Sequence, residues 1–279
     1  MIQIAESTID VHSLLTQWPL NRLQNQIVRK MAASSIIYQY VSSQHLMFEL
    51  RTRGYIVEAA RALEKSNVGF ADFKNARCNP EFWRLTEEGG FQIREEVSPA
   101  SGIRDIFHHG ERYAFECATA IVIVLYKGVL DELGDNVFNS LFAGLYLWDG
   151  NYDRDLGLHK SYEFDELAGD ILYVKNPQVD PEQIEWQGEN LVVLGDGNYY
   201  GHGIGIGTVQ HMITELNRHR VPNAVQSAYL VEEVLRPNFQ QLSSYVTGQR
   251  AHFILGPNHQ VVWKELLVAQ IGSHVFIYA

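Results

Sequence analysis

Residues 118 to 133 read ATAIVIVLYKGVLDEL, an almost unbroken apolar stretch that follows Glu116 and Cys117 and is closed by Gly134. Ile121, Val122, Ile123 and Val124 are β-branched and suit a buried strand as well as a helix. Length decides between them, because an apolar pattern of about twenty residues exceeds an ordinary strand and suits a central helix buried on most faces. Gly134 is its expected terminator. The longest apolar stretch, Ala118 to Tyr126, is far short of the roughly 20 residues that cross a bilayer, so no membrane span is expected.

Elements elsewhere arrange themselves around this helix. The first half reads mainly helical, with helices expected near Leu20 to Met31, Tyr55 to Ser66, Gly102 to His109 and Asp135 to Leu145. In RCNPEFWRL, residues 77 to 85, Pro80 reads as a first-turn residue after Asn79. From Gly169 the texture changes to short β-rich runs, ILYVKNP, NLVVLGDG, NYYGHGIGIG and the closing HVFIYA, separated by Gly, Asn, Asp and Pro and interrupted by one helix at Thr208 to Arg220. Helices first and a mostly antiparallel sheet afterwards make an α+β fold, with the Cys117 helix packed on the sheet. The chain, 279 residues and 46% hydrophobic, is expected to form one domain over 1–279.

Two cysteines make no disulfide framework, so at least one thiol is available for chemistry. Cys117 falls in the first helical turn, where unpaired N–H groups and the helix dipole favour a thiolate and hence a nucleophile of lowered pKa. The opposing interpretation is a small buried core cysteine, which fits Cys78 better. Glu116 projects about 100° around the helix from Cys117 and serves either as helix support or as a proton store for the same pocket. The densest polar and aromatic stretch, IEWQGENLVVLGDGNYYGHGIGIG at 184 to 207, holds Trp186, Glu189, Asn190, Tyr199, Tyr200 and His202. Its Gly195-Asp196-Gly197-Asn198 turn lets the two flanking strands pair and brings Glu189 and His202 together, so either could be the base a cysteine nucleophile needs. Read plainly, His202 is a turn histidine and Glu189 a solvated loop residue.

Several classes are excluded. A net charge of −11 argues against a nucleic-acid partner, which calls for clustered Lys and Arg, and favours basic, lysine-bearing surfaces. MIQIAESTIDVHSLL has no basic region, apolar core or cleavage signal, so no export signal is expected. Asp149, Asn151 and Asp153 begin like a calcium loop, but Arg154 stands where glycine is needed and Lys160 where a bidentate glutamate is needed. GHGIGIG lacks dinucleotide-fingerprint spacing, and the adjacent His108-His109 lacks metal-ligand spacing. No metal or cofactor site is expected.

Four collinear blocks, CNPEFW at 78 to 83, ECATA at 116 to 120, NPQVDPEQIEWQGEN at 176 to 190 and YYGHGIG at 199 to 205, carry a resemblance over nearly the whole chain. The sequence resembles the bacterial spore-coat transglutaminases, which are protein-glutamine gamma-glutamyltransferases. The resemblance implies a compact papain-like α+β fold, Cys117 as nucleophile, Glu189 as its acid/base partner in place of histidine, Glu116 as a glutamate able to share that role, and His202 as a nearby histidine. It also implies that Trp186 walls the substrate passage. Trp148, Tyr199 and Tyr200 are further candidates for an aromatic lining, and Asn190 lies within the matching block.

The implied reaction is calcium-independent attack on a protein glutamine, loss of ammonia, and transfer of the thioester to a lysine amine, cross-linking spore coat proteins. Backbone N–H groups at the helix start are expected to stabilise the oxyanion. Residence in the spore coat, after synthesis in the mother-cell cytoplasm, comes from the resemblance alone. Ala114-Phe115 departs from the family's Gly-Thr, and Gly248 to Ala279 follows it loosely. The rival reading is a papain-like cysteine hydrolase using Cys117 with His202.

Overall fold

A computed structural model describes residues 1–161, 165–247, 267–271 and 274–278. Its helices are α1 (Val11–Gln17), α2 (Arg22–Ala33), α3 (Ser43–Lys65), α4 (Pro99–His108), α5 (Cys117–Leu133), α6 (Asp135–Leu141), α7 (Val209–Asn217) and α8 (Phe239–Thr247). The principal sheet has six strands in the order Gly205–Gly207, Tyr199–Gly201, Gly188–Val193, Ile171–Lys175, Tyr229–Arg236 and His159–Ser161, each antiparallel to its neighbours. Most of the loosely matching stretch from Gly248 onward lies outside the described residues, apart from a hairpin of Leu267–Ile271 with His274–Tyr278.

Helix α5 begins and ends where its sequence indicates. Its residues from Ile121 to Tyr126 are almost wholly buried, as an all-round apolar pattern requires. Gly134, at φ +74, closes it in a conformation that other residues avoid. Helix α3 crosses α5 at close range, because Gly128 has no side chain: a Cβ there would stand 2.8 Å from the Ile56 nitrogen and 2.9 Å from its Cα.

Strand alternation covers both faces of the sheet. Ile171 and Val192 face the core shared by α3 and α5, whereas Leu172, Val174, Leu191 and Val193 pack with Met212 and Leu216 of α7. The Gly195-Asp196-Gly197-Asn198 turn forms as its residues dictate, with φ of +84 and +82 at the two glycines and Val193 facing Tyr199.

Three expectations differ, and one strand was not anticipated. Helix α3 starts at Ser43, well before Tyr55, because Glu49, Thr52 and Arg53 are buried and break the apparent periodicity. Pro80 opens a single turn, in which Phe82 and Trp83 donate to the Asn79 carbonyl, and the chain then extends as the strand Trp83–Leu85. Asn79 is held instead by tertiary bonds to Asp105 (2.8 Å) and Arg112 (3.0 Å). Helix α6 stops at Leu141, and the following Gly144 takes φ +74. The long strand Tyr229–Arg236 has two adjacent glutamates that mask its alternation.

Candidate active site

A short strand, Ala114–Phe115, pairs in parallel with Gly69–Phe70 and delivers the chain into α5. Glu116 is the residue before the helix, in extended backbone (φ −88, ψ 174), and Cys117 is the first helical residue. The Glu116 carboxylate turns back to accept the N–H groups of Ala118 at 2.5 Å and Thr119 at 2.6 Å. It therefore caps the helix. Two consequences follow: the Ala118 and Thr119 amides are not free to receive an oxyanion, and a carboxyl group already sits on the helix terminus.

The Cys117 sulfur is held from the opposite side by the Gly188–Val193 strand. Asn190 Nδ2 donates to Sγ at 3.6 Å, and Sγ lies 4.0 Å from the Gly188 carbonyl oxygen. Burial pushes the thiol well above its ordinary pKa, and the charges of Glu189 and then Glu116 add to this, against the opposing Asn190 N–H groups. The lowered pKa expected from the helix terminus is thus overturned, because desolvation and two neighbouring carboxyl groups outweigh a dipole already satisfied by its cap.

Glu189 is 1% exposed, and its Oε1 has no hydrogen-bond partner among the described residues. Its pKa is raised well above the carboxylic range, by burial first and by Glu116 second, with the His202 backbone N–H acting in the other direction. It is not the solvated loop residue of the plain interpretation. Gly201 makes room for it, since a Cβ there would press on its Cγ at 2.9 Å. Glu116 is also raised by burial, although its bonds to Thr119 and Ala118 offset part of the rise. Three acid groups interacting at this range share their protons as a set.

His202 is brought beside Glu189 by the hairpin, its backbone N–H toward that carboxyl group and its ring bonded elsewhere. Its Nε2 faces the carbonyls of Phe115 at 3.1 Å and Gly69 at 3.3 Å, and its Nδ1 meets the Tyr200 hydroxyl at 3.1 Å. Two carbonyls at Nε2 fix the proton there and leave Nδ1 to accept from tyrosine. Burial lowers its pKa to about 4, so it is neutral across the physiological range. Both ring nitrogens are thus engaged, and the ring bridges the strands Ala114–Phe115 and Gly69–Phe70.

Of the proposed aromatic lining, Trp186 is half-buried, stacks flat on His219 (centroids 4.1 Å apart, 3° between planes) and lies 5.0 Å from Phe70. Trp148, also half-buried, donates from Nε1 to the Glu88 carbonyl at 3.2 Å and sits 6.0 Å from Phe73. The next residues reach the helix start, where Gly150 approaches Ala118 and the charge of Asp149 is felt by Glu116. Tyr200 is wholly buried, with its hydroxyl on His202. Tyr199 turns its hydroxyl to Glu166 at 3.0 Å. Cys78 is half-buried, and burial pushes it up to about 11.

Sequence reasoning passed over Phe70 and Tyr173. Phe70 stands beside Trp186 and, at 5.8 Å, His202. Tyr173 faces Asn190 directly in the sheet. Pairing the ILYVK strand with the GENLVV strand would have revealed Tyr173; nothing local marks Phe70.

A buried thiol at a helix start, flanked by two carboxyl groups of raised pKa and a side-chain amide, is equipped for acyl transfer through a thioester. Comparison with known proteins gives the class its family. The family model for protein-glutamine gamma-glutamyltransferase matches residues 1–246. A protein-glutamine gamma-glutamyltransferase of Bacillus mycoides is 37% identical over 278 residues, covering 100% of both chains. One from Bacillus pumilus is 44% identical over 222 residues, 80% of this chain and 90% of its own. Among solved structures, a transglutaminase from Geobacillus stearothermophilus lacking its C-terminal extension superposes with a TM-score of 0.71 at 50% identity, covering 74% of this chain and 98% of the other.

The chain belongs to the protein-glutamine gamma-glutamyltransferase family. It is an acyltransferase of papain-like α+β fold whose substrates are proteins bearing glutamine and lysine. Among the described residues, no helix is long and apolar enough to cross a membrane.

Proposed function

We propose that Cys117 is the nucleophile of a glutamine-to-lysine cross-linking reaction, and that Glu189 and Glu116 move its protons. The observation that carries this is the sulfur itself, held by Asn190 at 3.6 Å and close enough to both carboxyl groups that each alters its acidity. As the glutamine side chain enters, Sγ attacks the carboxamide carbon and the thiol proton passes to the carboxylate pair. The tetrahedral adduct collapses, the C–N bond breaks, and the same proton leaves with nitrogen as ammonia. A lysine amine then attacks the thioester, gives its extra proton to the pair, and an isopeptide bond replaces the C–S bond.

Burial makes this division of labour workable. A carboxyl group such as Glu189, held by burial well above the ordinary carboxylate range, passes a proton to a departing amide more readily than an ordinary surface glutamate does. Asn190 positions the sulfur. Trp186 and Trp148, both half-buried, would narrow the approach and hold water away from the thioester. No step draws on a metal or cofactor, and all of 1–279 is assigned to this one enzyme.

The substrates we assign are spore coat proteins, with the coat as the site of action after synthesis in the mother-cell cytoplasm. Support comes from the resemblance of the four sequence blocks and from the Bacillus and Geobacillus sources of the relatives.

Incubation with a fluorescent primary amine and a glutamine-bearing protein tests the assignment. The wild type should label the protein and release ammonia, and Cys117→Ala should do neither. Peptide cleavage that proceeds equally with and without amine would replace transfer by the hydrolase reading.

A further inference from the structure

We propose that Tyr173 is a catalytic residue whose hydroxyl donates a hydrogen bond to the oxyanion formed when Cys117 attacks the substrate carboxamide. The inference rests on the acyl-transfer role given to Cys117 above. It starts from an unfilled role. The amides of Ala118 and Thr119 are taken by the Glu116 carboxylate at 2.5 and 2.6 Å, and that of Ala120 by the Glu116 carbonyl at 3.1 Å. The first turn of α5 thus leaves at most the Cys117 amide, and stabilising an oxyanion calls for aimed donors in a site shielded from water.

The neighbouring strand supplies one. Tyr173 is directly opposite Asn190 in antiparallel register, so their side chains leave the sheet on the same face, and Asn190 on that face reaches Sγ at 3.6 Å. Gly188 links the two. Sγ lies 4.0 Å from its carbonyl oxygen, and a Cβ on Gly188 would overlap the Tyr173 hydroxyl, so the phenol sits over the backbone that borders the sulfur. No hydrogen bond within the protein engages that hydroxyl among the described residues. Burial, and then the charges of Cys117 and Glu189, raise its pKa and keep it a donor.

The step balances without change at the phenol. The Sγ–C bond forms, the carbonyl π pair moves to oxygen, and the thiol proton goes to the carboxylate pair. The oxyanion accepts the Tyr173 O–H, which tyrosine keeps when the adduct collapses and ammonia departs with the thiol's former proton.

Tyr173→Phe removes only the hydroxyl. With a glutamine-bearing peptide and a primary amine as substrates, kcat should fall about 100-fold while KM stays within about 2-fold, the scale for losing one oxyanion donor. Alkylation of Cys117 by iodoacetamide, a displacement at carbon that forms no oxyanion, should stay within about 2-fold, with an unchanged melting temperature. Transfer retained within about 3-fold would overturn the proposal, and so would an equal loss of alkylation, since the phenol would then merely hold the sulfur. A Cys117→Ala control that still cross-links would sink the underlying reading itself, whatever Tyr173→Phe does.

Discussion

At Cys117 two elementary effects compete, and their sizes settle the state of the thiol. A helix start lowers a thiol pKa only while its N–H groups are free, and here Glu116 has taken those of Ala118 and Thr119. Burial and two carboxyl groups push the other way and win. The thiol is therefore protonated at neutral pH, and the thiolate population grows only as pH rises toward the elevated pKa. Iodoacetamide alkylation of Cys117 should keep accelerating above pH 9; a plateau reached below pH 7 would contradict this. The same buried surroundings assign different tasks to Glu189 and His202. Glu189→Gln should cut cross-linking by at least about 100-fold in a folded protein, the scale of general acid–base catalysis. His202→Gln should instead lower the melting temperature while the folded fraction keeps most of its activity, because His202 bonds Tyr200, Phe115 and Gly69 and not the sulfur. A folded, inactive His202→Gln protein would restore the cysteine–histidine scheme.

At the level of elements, helix α5 was legible from its pattern because no alternative buries so long an apolar run. Its neighbour α3 was only half legible, since Glu49 and Arg53 look like solvent-facing residues until their partners are known. The contact between these helices yields a prediction with a diagnostic sign. Replacing glycine by alanine inside an exposed helix stabilises by up to about 1 kcal/mol. At Gly128 the new Cβ would meet Ile56 backbone atoms at 2.8 and 2.9 Å, so the helices must separate. Gly128→Ala should destabilise by about 1–3 kcal/mol in urea denaturation, the scale of core overpacking. Any gain in stability would show that the crossing relaxes freely.

Over the whole molecule, a buried ionic network ties the helical half to the sheet. Arg53 of α3 meets Glu49 at 2.8 Å and Asp170 at 2.7 Å with its side chain fully buried, and Arg236 meets the other Asp170 oxygen at 2.7 Å. Tyr40 adds a bond to Glu49 at 2.9 Å, and the Phe239 ring of α8 lies 4.7 Å from the Arg53 guanidinium. Removing Arg53 leaves the buried Glu49 carboxylate without its cation and Asp170 with Arg236 alone, which costs far more than the pair itself contributes. Arg53→Met should therefore lower the unfolding free energy by about 3–5 kcal/mol, read by chemical denaturation. A loss under about 1 kcal/mol would mean that the network relaxes or hydrates. The sheet this network anchors is the one that carries Glu189, Asn190 and Tyr173 to the Cys117 sulfur.

Local and periodic information in the chain was enough for the α+β class, the extent of the Cys117 helix, the glycine-rich turn and the pairing of the Glu189 and His202 strands, because each follows from short-range sterics and from which residues avoid water. Other features depended on packing: that Glu116 is a cap, that His202 and Tyr200 bond to one another in the interior, and that Tyr173 faces Asn190, the residue that holds the sulfur. A side chain's pKa and reach depend on what surrounds it in three dimensions, and desolvation by distant segments is invisible along a one-dimensional string.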